Sequence, residues 1–290
     1  MSWRTVVIAS SAKLDYQLGF LVIRKSDVVK IHISEISTLI IETTSASLTA
    51  ALLSELVKKK VKVIFCDEKR NPSSELIPYY GCHDTSMKIR KQMGWTKEMK
   101  DAVWTEIVKE KIRKQAEYLE RCHLREADML WQYVDEIKFA DESNREGHAA
   151  KVYFNALFGK DFARTNEDSI NAALNYGYAI ILSACNREIA ANGYMTQIGL
   201  FHDNVFNPFN LGSDIMEPLR PMVDCAVKDM NPQSFGHEEK MRILKILQQE
   251  VLISGRKECV DNAIKLYCRS VFDALNESDV SLIKFYRNEL

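Results

Sequence analysis

The chain has 290 residues, 39 Lys+Arg against 40 Asp+Glu for a net charge of −1, and is 46% hydrophobic and 27% charged. That balance excludes disordered, collagen-like and mucin-like chains, because enough apolar surface is available to offset chain entropy. No apolar run approaches the ~18 residues of a membrane span, and no basic-then-apolar leader with a small-residue cleavage site opens the sequence, so no secretory signal is expected.

Short runs rich in Val and Ile at 5–8, 19–24, 28–33, 38–41 and 61–66 predict strands. One helix interrupts them: Leu48, Leu52, Leu53, Leu56 and Val57 recur at helical spacing, and Lys58, Lys59 and Lys60 close it, three cations suited to a helix C-terminus. Residues 71–74 (Asn-Pro-Ser-Ser) read as a turn, followed by Tyr79, Tyr80 and Gly81. From Thr96 onward nearly everything reads as helix, beginning with an apolar stripe of Trp104, Ile107, Val108 and Ile112. Further helices are predicted at about 124–138, 144–159, 167–192, 239–252 and 256–275. The expected fold class is α+β: a β-rich domain over 1–84, a basic linker over 85–96, and a larger all-α domain over 97–290.

Cys66, Cys82, Cys122, Cys185, Cys225, Cys259 and Cys268 are odd in number and widely spread, with no C-x-x-C pair. They read as free thiols in a reducing cytoplasm, not as a zinc ribbon. Charge is unevenly placed: +2 over 1–84, +5 over 85–125 and −8 over 126–290. The whole chain therefore lacks the basic excess of a typical nucleic-acid binder. A polyanion could dock on the acidic part only across an intervening cation. Dinucleotide, P-loop, G-x-S-x-G and H-E-x-x-H motifs are all absent, so phosphodiester chemistry here would run without ATP.

Three stretches place acids and a histidine in unusual company: Glu146 in REGHAAKVYF, His202 in GLFHDN, and Asp214 with Glu217 in FNLGSDIMEPLRP. Each has a plain structural explanation. Ser143 and Glu146 form the spacing of a capping box. Asp214 and Glu217, three apart and followed by Pro218, suit a helix N-terminus. His202 alone in a loop is an ordinary structural histidine, and His148 falls on another face from Glu146. Together, however, two or three carboxylates and one imidazole make a hard donor set that suits Mg²⁺ or Mn²⁺ better than structural zinc.

At these motifs the sequence closely resembles the CRISPR-associated integrase and endonuclease family, the first-numbered CRISPR-associated protein ("Cas one"), with wording closest to type II systems. The matching blocks are REGHAAKVYFNALF, NAALNYGYAIILSA, GLFHDN and FNLGSDIMEPLRPMVD, in that order. The resemblance implies a metal-dependent DNA endonuclease and integrase that inserts spacer DNA into a CRISPR array by 3′-hydroxyl transesterification, in the prokaryotic cytoplasm. It carries the family's metal ligands onto Glu146, His202 and Glu217, and a further catalytic acid onto Asp214. It implies Mg²⁺ or Mn²⁺, double-stranded DNA (prespacer and repeat), a homodimer formed partly through the N-terminal domain, a small second CRISPR-associated subunit, and other proteins of the same locus. Lys88, Arg90, Lys91, Lys97 and Arg220 are candidate DNA contacts, although the basic segment equally suits an ordinary charged connector. Asp203 stands where some relatives have another His, and Asn175, Tyr176 and Tyr178 match the family with no role that spacing can name. A branched-DNA repair nuclease and a non-catalytic nucleoprotein scaffold stay open as alternatives.

Overall fold

A computed structural model describes residues 4–78 and 82–287; Tyr79, Tyr80 and Gly81 lie outside the described residues. The chain divides after residue 81 into two compact units, and its class is α+β.

The first unit holds two four-stranded sheets. Strands β1 (Arg4–Ile8), β5 (Ile36–Ile41) and β7 (Lys62–Cys66) run parallel, and β8 (Pro72–Glu75) adds an antiparallel edge. Central β5 is buried at all six positions, polar Ser37 and Thr38 included, which is why its sequence shows no apolar–polar alternation. The second sheet has the order β4 (Val28–His32), β3 (Phe20–Arg24), β2 (Lys13–Gln17), β6 (Ser47–Leu48). Helix α1 (Ala50–Lys58) starts at a Thr49 cap whose hydroxyl accepts from Leu52 N. It contacts β2 of one sheet and β7 of the other, burying Leu52 and Leu56 among Leu14, Leu21, Leu39 and Val63. Residues 72–75 are a strand, not the turn expected there: Pro72 sits where an edge strand tolerates a missing N–H.

The second unit is mostly helical. Residues expected as a basic linker are helical over α2 (Thr85–Met93) and belong to this unit. Helix α3 (Lys97–Arg121) packs against α4 (Glu126–Glu136) and α5 (Arg145–Phe158), and also against α8 (Arg220–Met230) and α10 (Val260–Glu277). Its whole predicted stripe, Trp104, Ile107, Val108 and Ile112, is buried. Surrounded on several sides, α3 also buries Glu110, Lys111, Lys114 and Gln115. Helix α6 (Ser169–Ala191) contacts α7 (Asn210–Ile215), α8, α9 (His237–Leu244) and α10.

The helices expected over 239–252 and 256–275 are interrupted. Helix α9 stops at Leu244, and β9 (Glu250–Ile253) pairs antiparallel with β10 (Arg256–Cys259) before α10 begins. Ser254 and Gly255 join the strands as a two-residue loop with φ of +53° and +73°, the left-handed pair that a tight hairpin requires.

Candidate metal centre

Four separate segments of the second unit supply the site. Helix α5 begins at Arg145, but the expected Ser143 capping box does not form: Asn144 takes the cap position in the left-handed region (φ +51°), and the Ser143 hydroxyl is buried without a partner. Asp141 caps the helix from further upstream, its carboxylate accepting from Arg145 N at 2.8 Å and Glu146 N at 3.0 Å. Glu146 is thereby released from folding back on its own helix start, and its carboxylate instead meets the Lys111 ammonium from the middle of α3.

Glu217 meets the same ammonium. Lys111 Nζ donates to Glu217 Oε2 at 2.5 Å, so two acids 71 positions apart in sequence converge on one cation. Glu217 opens the short 3-10 turn Glu217–Leu219, with Pro218 behind it, ahead of α8. Its other oxygen accepts from Arg220 Nε at 2.9 Å. Burial pushes the Glu217 carboxyl up, but the charges of Lys111 and then Arg220 outweigh it and hold the group below the usual range. The Lys111 ammonium is held above its usual value: burial lowers it, and Glu217 and Glu146 more than restore it. Glu217 is 6% exposed and Glu146 31%, so the pair is closed on one side and open to solvent on the other.

Contrary to the expectation of a shared helix start, Asp214 is separated from Glu217 and lies near the end of α7. Fully buried, it accepts from the backbone N–H of Leu200 (2.6 Å), Phe201 (3.1 Å) and His202 (3.1 Å), and from His202 Nδ1 (2.5 Å). The Asp214 hydrogen bond raises the His202 imidazole above its usual pKa, against the opposing pull of burial. With Nδ1 committed, Nε2 is the remaining ligand atom, which is the arrangement in which a buried carboxylate fixes a metal-binding histidine. Gly199 permits this closeness: a Cβ there would lie 2.3 Å from His202 O and 2.7 Å from Asp214 Oδ2. Asn210 pins the same loop, donating to Gln197 O and Asn204 O. The blocks GLFHDN and FNLGSD are therefore one interlocked structure. Phe201 stacks on Trp104 at 4.6 Å, and His202 meets the same indole edge-on at 5.8 Å. His202 and Glu217 lie within Coulombic range of each other.

The structure thus gathers Glu146 and Glu217 on Lys111, which the sequence reading missed, and bonds His202 to Asp214, with His202 in Coulombic range of Glu217. Asp214 acts here by holding His202. Among the described residues, the group whose ligand atoms all lie within 4.8 Å of one another is a different one, Cys82, His83 and Asp84 at the start of α2. Glu146, His202 and Glu217 are set wider, with an ammonium between the two acids. As a donor set they fit a hard divalent ion: two carboxylates already gathered on a cation, one of them held ionised, and an imidazole with one nitrogen fixed.

The family block around Tyr178 now has a place. Arg220 stacks over the Tyr178 ring at 4.7 Å and Arg164 at 5.3 Å, while the Tyr178 hydroxyl donates to buried Asp224. Arg164 also donates to Asn171 and, at 2.6 Å, to Asn175. Arg220, a candidate DNA contact, is thus already engaged with Glu217 and Tyr178. Arg90, Lys91 and Lys97 are exposed, and Lys88 reaches the Tyr194 ring at 5.7 Å.

Burial pushes the Asp224 carboxyl up to about 7, against the Tyr178 hydrogen bond and the charges of Lys111, Arg220 and Arg164. The folded protein then holds a proton that the unfolded chain, at 3.8, has released. Stability contributed by this group falls as pH rises from about 4 to about 7 and levels above. Asp224→Asn removes that loss. Urea denaturation should show the variant gaining on the wild type across this window, by a few kcal/mol at most. A constant difference from pH 4 to 8 would show that Asp224 is ionised throughout.

Comparison with known proteins follows the same lines. Residues 5–240 match the family model described as CRISPR associated protein Cas1. A relative from Neisseria meningitidis serogroup C (strain 8013), CRISPR-associated endonuclease Cas1, is 33% identical over 260 residues, covering 87% of this chain and 86% of its own. Among solved structures, a casposase bound to integration product has a TM-score of 0.78 at 18% identity, covering 97% of this chain and 93% of its own. A Cas6-RT-Cas1–Cas2 complex has a TM-score of 0.75 at 17% identity, covering 97% of this chain and 36% of its own. The two structural likenesses speak for the fold; the family match and the Neisseria relative, spanning most of the sequence, establish that this chain belongs to the CRISPR-associated protein Cas1 family.

Proposed function

We propose that this chain is a divalent-metal-dependent DNA endonuclease and integrase that inserts spacer DNA into a CRISPR array, in the prokaryotic cytoplasm. The observation that carries the reading is the convergence of Glu146 and Glu217 on one cation, beside a His202 fixed by buried Asp214. Glu146, Glu217 and His202 Nε2 would hold Mg²⁺ or Mn²⁺. When bound, such an ion supplies Lewis-acid stabilisation of a phosphoryl group and a more acidic hydroxyl or water.

In strand transfer the 3′-hydroxyl oxygen of the incoming DNA attacks phosphorus at the repeat boundary. A new phosphodiester forms as the P–O3′ bond of the repeat strand breaks, and the proton lost by the attacking hydroxyl is balanced by one gained on the leaving oxygen. No high-energy cofactor is consumed, in keeping with the missing P-loop. The protein's part is positioning and charge. Asp214 holds the imidazole in a single tautomer. Arg220, clamped by Glu217 and Tyr178, fixes the Glu217 carboxylate and contributes positive charge near an incoming phosphate. With water as nucleophile the same site would nick DNA.

DNA binding rests on phosphate contacts, to which exposed Arg90, Lys91 and Lys97 on α2 and the start of α3 are suited. The N-terminal unit serves dimerisation, and a small second CRISPR-associated subunit completes the assembly, as Cas2 does in the neighbouring Cas1–Cas2 complex. The test is an integration assay with a supercoiled CRISPR-array plasmid, a prespacer duplex and the second subunit. Strand transfer at the leader-side repeat boundary should require Mn²⁺ or Mg²⁺ and stop in EDTA. Activity indifferent to chelation would leave a scaffold, and equal activity on any branched junction would leave a repair nuclease.

A further inference from the structure

Lys111 is the feature of this site that the motifs do not include. Its side chain is 7% exposed, in the middle of a 25-residue helix, and it bonds both Glu146 and Glu217. The two acids come from different elements, Glu146 from the first turn of α5 and Glu217 from the turn before α8. Left to themselves they repel, in a place where one is buried and solvent screens little. A cation is what allows them to converge. Lys111 engages Glu146 Oε1 and Glu217 Oε2, so a divalent ion held by the same two carboxylates competes with the ammonium for them. Lysine suits this duty better than arginine: it is a compact point charge on a flexible four-carbon stem, able to swing aside while α3 stays fixed.

We propose that Lys111 is a tethered cation that keeps the place of the divalent ion between Glu146 and Glu217 and is displaced when the ion enters. This rests on the reading of Glu146, Glu217 and His202 as metal ligands. Two consequences follow. The fold tolerates the metal-free state because Lys111 neutralises the acids there. The site's affinity for metal is set below its intrinsic value, because a binding-competent arrangement must first be freed of the ammonium.

The experiment measures Mn²⁺ binding by calorimetry and thermal melting with and without Mn²⁺, for the wild type, Lys111→Met and Glu217→Gln. Lys111→Met should bind Mn²⁺ about tenfold tighter than the wild type, as removal of a competing occupant dictates. It should melt lower in EDTA, and Mn²⁺ should raise its melting temperature by more than that of the wild type. Equal or weaker binding by Lys111→Met, with Glu217→Gln abolishing wild-type binding, would overturn the competition and leave the ligand assignment standing. Wild-type Mn²⁺ binding that Glu217→Gln does not weaken would overturn both. Should Lys111→Met fail to fold, the wild type answers alone. Reductive methylation followed by mass spectrometry should find Lys111 protected in EDTA and modified in Mn²⁺, and protection unchanged by Mn²⁺ would overturn the proposal.

Discussion

Asp214→Ala is expected to lower stability by roughly 3–5 kcal/mol and to abolish strand transfer at the same time. The carboxylate is wholly buried and accepts from three consecutive backbone N–H groups and one imidazole nitrogen. Alanine would leave four donors without this acceptor, the Leu200 N–H buried and the other three partly so, and each such loss costs about 1–3 kcal/mol where water cannot enter. The loop carrying His202 would then be free to move, and His202 would lose the partner that fixes its tautomer. Asp214→Asn separates the two effects. It fills the same volume but offers one acceptor oxygen and a set of amide hydrogens turned toward N–H groups. Its metal affinity should fall about 10–100-fold, the usual result of removing the carboxylate behind a ligating histidine. Urea denaturation and Mn²⁺ titration of both variants check this. An Asp214→Asn protein that binds Mn²⁺ like the wild type would remove Asp214 from the site and leave it as a loop brace.

Glu146→Ala and His202→Ala should behave differently. Glu146 is 31% exposed and His202 41%, so neither substitution opens a cavity in the core. Both variants should keep wild-type folding and DNA affinity. Strand transfer should drop by about 10²–10³-fold or more, the scale of losing one electrostatic stabiliser of a transition state. Gel-shift binding alongside the integration assay measures the two quantities separately. Integration at the wild-type rate by either variant would refute its assignment. A parallel loss of DNA affinity would place the residue in substrate binding.

Much of this site was legible because its acids and histidine stand in dense, ordered blocks, and because the strands and long helices have unmistakable periodicity. The helical stripe on α3 is one case, buried at each of its four expected positions. What escaped notice depended on tertiary placement. Lys111 sits in a run of Lys and Glu that reads as a solvated face, yet it lies seven residues beyond Trp104, on the face that also buries Val108 and Gln115. A lysine at that spacing was the available signal. Asp214 was paired with Glu217 by spacing alone, because nothing local tells that α7 ends between them and that Asp214 turns back to the 200–202 backbone. The Ser143 box failed for a related reason: three left-handed residues, Ala140, Asp141 and Asn144, redirect the chain so that Asp141 caps α5 instead. The β9–β10 hairpin carried its own mark in Ser254-Gly255, between Val251–Ile253 and Arg256–Cys259. It was overrun by the helical periodicity on either side.

The most direct test of the account is anomalous X-ray scattering from crystals grown with Mn²⁺. A single manganese peak is expected about 2.0–2.3 Å from one oxygen each of Glu146 and Glu217 and from His202 Nε2. Lys111 should be turned away from both acids, and Asp214 should still be bonded to His202 Nδ1. Manganese bound at Cys82, His83 and Asp84 alone, with Lys111 still bridging Glu146 and Glu217, would contradict it.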